Sequence, residues 1–272
     1  IVQWWFVFFL IGVIFLPLTF KLLGNFFDKG YLFSKVIGII IISYLIFLLG
    51  LSHIAPFTTL TIFGVIIISL GVNLVLFRNG FLKIIRKKLP IFIAEEIIFL
   101  LGIIFWSFIK SHGPDIHGLE KFMDFGFVNS ILRSNYFPPK DMWFTPYPIN
   151  YYYFGHLVTA VLTKISLIPS AIAYNLMLAT LFAFTFSLPF SIGANLIYFL
   201  FLKENEKQDN RKINISRNIT IIFSGLLTGF LVSLSGNLQT IYAFFKNFQG
   251  EKPVPFWHLI FYLNRFFSRI HT

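Results

Sequence analysis

The sequence predicts an all-α polytopic membrane protein with about seven transmembrane helices (six to eight) and an extracytoplasmic loop carrying a short amphipathic helix. Three observations predict it. The chain is 57% hydrophobic and only 12% charged, with a mean hydropathy of +0.78, where a soluble domain carries about twice that share of charge. Apolar runs of about eighteen or more residues recur, each long enough to cross a hydrocarbon core roughly 30 Å thick. The runs are continuously apolar rather than alternating, which selects helices over a barrel.

The first span is expected over about Val2–Phe20, with Trp4 and Trp5 suited to an interface and Pro17 placed to kink its end. The run is too long for a signal peptide and lacks a small-residue cleavage site. A short loop with Lys21, Asp28 and Lys29 leads to a second span, about Leu32–Leu51. Gly50, Ser52, His53 and Pro56 break the pattern before a third, about Phe57–Phe77. A basic loop (Arg78, Lys83, Arg86, Lys87, Lys88) precedes a fourth span, about Pro90–Ile109. The fifth is expected over about Tyr151–Ile168. The stretch Ala171–Leu202 is too long for one untilted crossing, and Pro189 with Gly193 offers a place to divide it in two. A seventh span follows at about Ile219–Phe245, and Pro253–Thr272 is aromatic and basic enough to lie along the interface. Membrane helices thus occupy 1–110 and 151–272, with a polar loop at 111–150 between them. Opening at Ile1 and stopping at Thr272, the chain reads as a fragment truncated at its carboxyl end.

A net charge of +11 is read as loop charge that orients helices and meets anionic lipid, since no basic stripe marks a nucleic-acid module. The basic loops place 21–30 and 77–89 in the cytoplasm and the 111–150 loop on the outer face of the plasma membrane. Loop 203–217 is also basic, which conflicts with simple alternation unless 171–202 crosses twice. Cysteine is absent, which excludes disulfides and thiol catalysis.

Chemistry concentrates in one polar island, His112–His156, which holds seven of the seventeen acidic and histidine residues. From about Gly118 to Arg133 an apolar stripe (Leu119, Phe122, Met123, Phe127, Ile131, Leu132) predicts a short helix lying on the membrane. Glu120 and Asp124, four apart, share a face of it. Two acids so close suit a general base or a divalent cation, magnesium or manganese; the plain alternative is a solvated polar face. His112, Asp115 and His117 match no zinc spacing and read as a turn around Gly113-Pro114. Phe137-Pro138-Pro139-Lys140-Asp141 is a stiff turn, either a plain helix stop or one that aims Asp141 and Trp143 at a site. Asn150 is the expected N-cap of the fifth span. Tyr151, Tyr152 and Tyr153, with His156 a turn inside, suggest a lined pocket. Glu95 and Glu96 lie inside the fourth span, within reach of Lys87 or Lys88, and read as structural. Lys164 reads as an anchor at the opposite interface.

Four blocks in order, Glu120–Phe125, Asn129–Ser134, Phe137–Trp143 and Ile149–His156, resemble the YYY family of polytopic archaeal and bacterial membrane proteins (domain of unknown function 2298). Ala94-Glu95-Glu96, Ser235-Gly236-Asn237-Leu238 and Ser268-Arg269-Ile270 resemble its flanking blocks. The family usually has proline where Met123 and Met142 stand, and it continues into Glu-Phe-Pro and Asp-Leu-His motifs beyond this chain's end. The family in turn resembles the GT-C membrane glycosyltransferases. That resemblance implies inverting transfer from a polyprenyl-phosphate sugar donor to a glycan or protein acceptor on the outer face. It implies Asp124 as base, Glu120 as its partner or a metal ligand, and Lys121, Arg133 or Arg269 on the phosphate. Asp141, Trp143, Asn150, Tyr151, Tyr152, Tyr153 and His156 would line the substrate site. A lipid or solute transporter and a non-catalytic scaffold are the competing readings.

Overall fold

A backbone immersed in hydrocarbon must satisfy its own N–H and C=O groups, so the long Ile, Leu and Phe runs fold as helices. The computed structural model describes residues 1–76, 81–116, 120–208 and 215–235. Among them are eight helices: α1 (Val2–Leu22), α2 (Tyr31–Leu51), α3 (Thr59–Leu76), α4 (Phe81–Ser111), α5 (Glu120–Arg133), α6 (Phe154–Ser166), α7 (Ser170–Gln208) and α8 (Ile215–Leu234). The chain divides into a unit from Ile1 to Gly229 and a second from Phe230 to Thr272; of the second, only the last turn of α8 and Ser235 are described. The protein is a polytopic membrane protein: α1, α2, α4, α7 and α8 are long and apolar enough to cross a membrane, and α3 is a shorter apolar helix. The aromatic segment 253–272 and the family block around Arg269 lie outside the described residues.

α1 and α2 are antiparallel, and Gly38 on α2 lets Ile11 and Phe15 of α1 approach its backbone. α4 and α7 are also antiparallel: Phe99 meets Phe184 at 4.8 Å, Trp106 stacks on Phe182 at 4.7 Å, and Gly102 admits Ala183. The turn between α1 and α2 reaches the far half of α7, where Asn195 accepts the Phe27 N–H at 2.8 Å. Arg217 at the start of α8 lies over Phe201. The α1–α2 turn, the amino-terminal part of α4, the far part of α7 and the start of α8 therefore gather toward one end of the bundle, and the described residues of the polar island occupy the other.

Two expectations change here. The stretch 171–202 is one continuous helix with Pro189 inside it, not two crossings; at 1.5 Å per residue its 39 residues extend about 58 Å, well past the hydrocarbon. The expected fifth span does not cross. α6 has only 13 residues, about 20 Å of helix, and both its ends lie at the island end of the bundle. Near its start Tyr153 packs on Phe47 and His156 meets Asp124. At its end Lys164 Nζ donates to the Phe57 carbonyl at 2.7 Å, and Gln3 donates to the Ser166 carbonyl. α7 then starts at the same end, with Ser170 Oγ donating to Asn129 Oδ1 and Asn175 Nδ2 to the Pro114 carbonyl. Losing one crossing puts the far end of α7 and the start of α8 on the side of the α1–α2 turn, which removes the conflict in the charge pattern. Lys164 is correspondingly at the island end, not the opposite interface, and burial pushes its ammonium pKa down.

Burial explains why α6 stays inside: Leu157 to Thr163 and Ser166 are all buried against the neighbouring helices. α5 likewise turns Phe127, Val128 and Ile131 of its apolar face into the protein and packs on α6, and Phe122 of the expected stripe is left outside. Deeper in the bundle, Glu96 does not reach toward Lys87 or Lys88. It accepts from Lys35 Nζ at 2.6 Å, Tyr31 Oη at 2.5 Å and Trp5 Nε1 at 2.6 Å, joining α1, α2 and α4 through a fully buried lysine.

The absence of cysteine makes the topology directly measurable. Asn25→Cys and Asn205→Cys are expected to react with a membrane-impermeant maleimide from one side of oriented vesicles, and Tyr152→Cys from the other. Labelling of Asn205→Cys together with Tyr152→Cys would require α6 to cross.

Candidate functional site

The loop between α5 and α6 is built on backbone bonds rather than regular structure. Phe57 N–H donates to the Asn135 carbonyl at 2.6 Å, and Phe137 N–H to that of Gly50 at 3.3 Å. The Phe137 ring is buried over Gly50, where a Cβ would stand 2.4 Å from the ring. Asp141 then turns the chain: its Oδ1 accepts the N–H groups of Trp143 and Phe144 at 2.7 and 3.0 Å, while its own N–H reaches the Tyr147 carbonyl. Its carboxylate therefore shapes the loop, and Trp143 at the turn is exposed. Asn150 is exposed and does not cap α6; the N-cap is Tyr153, without a side-chain capping bond.

α5 presents Asp124 to the first turn of α6. His156 Nε2 and Asp124 Oδ1 are 3.1 Å apart, with side-chain exposures of 15% and 34%, so the pair is shielded yet reachable. Phe127 meets the imidazole edge-on at 5.4 Å and fixes its plane. His156 Nδ1 is buried without a partner among the described residues. The tautomer that donates from Nε2 to the carboxylate leaves Nδ1 as a lone-pair acceptor. Around the pair lies a cavity of about 240 Å³ lined by Asp124, Val128, Tyr152, Gly155, His156, Thr159, Tyr174, Met177, Leu178 and Leu181. Asp124, His156 and Thr159 bring polar groups to its α5–α6 side, and Met177, Leu178 and Leu181 line its α7 side next to the Tyr174 phenol, with Leu181 half exposed on the bundle surface. Uncapped N–H groups at the start of α6 add partial positive charge beside it.

Tyr151 and Tyr152 are exposed, with rings 4.0 Å apart and the Tyr151 hydroxyl donating to that of Tyr152 at 2.7 Å. That bond, with the charges of Glu120 and Asp124, pushes the Tyr151 phenol pKa up. Tyr153 instead packs inward, and burial raises its phenol too. Glu120, exposed, and Lys121, half buried, open α5. Asp124 has its bond to His156, and no group of three or more His, Asp or Glu assembles as a metal set among the described residues. The donor set thus fits a divalent ion poorly.

Arg133 ends α5, nine residues beyond Asp124, about 13 Å along the helix. It lines a second, larger cavity of about 800 Å³ with Asn129, Ser130, Tyr136, Lys140, Asp141 and Thr145. Sequence reasoning named Asp124 and His156 separately but missed their pairing, because no periodicity links positions 32 apart. It also missed Asn129, Ser130 and Tyr174; two of these lie within the family blocks. His112 Nδ1 lies 2.9 Å from the Phe108 carbonyl at the end of α4, and His117 falls outside the described residues.

The family model of uncharacterized membrane proteins (DUF2298) matches residues 41–269, and the chain belongs to that family. No curated protein and no solved structure matches it.

In Tyr152→Phe the Tyr151 phenol loses its acceptor and is expected to titrate nearer the ordinary tyrosine range, at lower pH than in the wild type. Carbon-13 NMR of ring-labelled tyrosine reads this shift; an unmoved Tyr151 titration would show that the pair does not form.

Proposed function

We propose that this member of the DUF2298 family is a membrane glycosyltransferase of GT-C type that uses a polyprenyl-phosphate sugar at the Asp124–His156 pocket. The observation that carries the reading is a paired acid and imidazole at the boundary between a polar cavity wall and an apolar one. Such a boundary suits a donor whose sugar phosphate is polar and whose chain is hydrocarbon. The island end faces outward and the basic end the cytoplasm, following the distribution of Lys and Arg.

In this reading the isoprenoid lies along Met177, Leu178 and Leu181. The phosphate meets the first-turn N–H groups of α6 and the ammonium of Lys121, one turn from Asp124. His156 holds Asp124 Oδ1, leaving Oδ2 to take the proton of the acceptor hydroxyl. The acceptor oxygen bonds to the anomeric carbon as the bond to the phosphate oxygen breaks, and polyprenyl phosphate leaves with the electron pair. Configuration inverts because attack and departure are on opposite faces. The exposed Tyr152 ring offers a face for a sugar. The larger cavity, with Arg133, Lys140, Asn129 and Ser130, is the acceptor side. No step needs a metal.

The test compares cell-surface glycans and lipid-linked sugars by mass spectrometry in cells carrying the full-length protein. Asp124→Asn is expected to lower transfer at least about 100-fold, the range of a lost general base, with build-up of the donor. His156→Ala is expected to lose activity and His156→Gln to recover part of it through its amide N–H. Unchanged glycans in Asp124→Asn at equal protein level would contradict the assignment.

A further inference from the structure

Away from the pocket, three carboxyl groups and one lysine are buried together inside the bundle. Lys35 is matched by Glu96, as described above. Asp28, in the turn between α1 and α2, is fully buried. Its Oδ2 accepts from Ser191 Oγ at 2.5 Å, and its Oδ1 from Asn195 Nδ2 at 3.2 Å and the Gly30 N–H at 3.1 Å. Glu95 on α4 is 1% exposed and close enough to Asp28 for the two carboxyl groups to interact, yet among the described residues no donor reaches either of its oxygens.

A carboxylate with neither cation nor donor does not persist in a dry interior. The cations nearby are committed or lie toward solvent. Lys35 from α2 is taken by Glu96 and Lys29 donates to the Gly24 carbonyl. Lys88 on α4 is half buried, and its charge is felt by both carboxyl groups, but it makes no ion pair with either among the described residues. The α7 groups on Asp28, Ser191 and Asn195, are uncharged donors. A single proton satisfies both carboxyl groups at once.

We infer that Glu95 and Asp28 form a proton-binding site within the membrane-spanning bundle, with one proton carried on Glu95 and donated to Asp28. Three donors stabilise the Asp28 charge, the proton supplies the fourth, and Glu95 stays neutral. Losing that proton would set two carboxylates against each other between α4 and the α1–α2 turn. Occupancy is thereby coupled to how that turn docks on α4 and α7. The site is remote from Asp124 and does not rest on the transfer reaction.

The experiment uses the full-length protein in liposomes. Dicyclohexylcarbodiimide, which reacts with protonated carboxyl groups in apolar surroundings, is followed by peptide mass spectrometry across a pH series with and without sodium. Glu95 is expected to be labelled at neutral pH, less as pH rises, and equally in either salt condition. Glu95→Gln is expected to keep the melting temperature within about 2 °C, because an amide N–H replaces the acid O–H. Glu96→Gln, which strands Lys35, is expected to lower it by roughly 10 °C. No label at Glu95 at any pH, or a Glu95→Gln variant as unstable as Glu96→Gln, would overturn the proton. Protection by sodium at constant pH would assign the pair to a metal cation and overturn it equally.

Discussion

In hydrocarbon, a polar group that finds no partner within the protein finds none at all. Much of this structure follows from that constraint. Lys35 is buried without exposure, and Glu96 answers it at 2.6 Å. Because Trp5 and Tyr31 donate to the same carboxylate, one charge pair fixes α1, α2 and α4 against each other. Asp28 does the same between the α1–α2 turn and α7 through Ser191 and Asn195. Apolar packing fills the space around these anchors, and small residues such as Gly38 and Gly102 let the helices approach. Directional bonds of this kind select one register where hydrophobic contact alone would accept several.

The same constraint separates spanning helices from site-forming ones. A 13-residue helix cannot cross the hydrocarbon, so α6 is held at one end, enclosed by its neighbours. Its buried length carries Thr159 and Thr163, whose hydroxyls return to backbone carbonyls one turn earlier. Fixing α6 fixes His156, and α5 packed against it brings Asp124 to the imidazole. The pocket is thus a consequence of where a short helix is forced to lie, and α7 supplies the apolar wall because it begins at that same end.

The membrane class and most helices were legible because apolar runs report burial in lipid directly. α6 was not, since hydropathy cannot distinguish a run buried in lipid from one buried in protein. Pro189 misled for a related reason: neighbouring helices can support a proline within a span, and α7 continues through it. Lys35, the lone charge in the second apolar run, was the available signal for the partner of Glu96, but only a fold brings positions 61 apart together. In the island, motif residues were legible as a set, while their division between two cavities was not. Asp124 and His156 line one, Arg133 and Asp141 the other, because that division depends on which face of α5 meets α6 and α7. Asp141 shows the limit of reading chemistry from residue type: the carboxylate builds the turn that holds it.

The central claim, that a lipid phosphate sits beside Asp124 with its chain along α7, is tested most directly by photo-crosslinking. Purified full-length protein in nanodiscs would be irradiated with a benzophenone-bearing polyprenyl phosphate, and the adducts mapped by mass spectrometry. The account predicts adducts on Tyr174, Met177, Leu178 or Leu181, displaced by unlabelled polyprenyl phosphate. Saturable adducts confined to other parts of the bundle, with none on that face of α7, would contradict it.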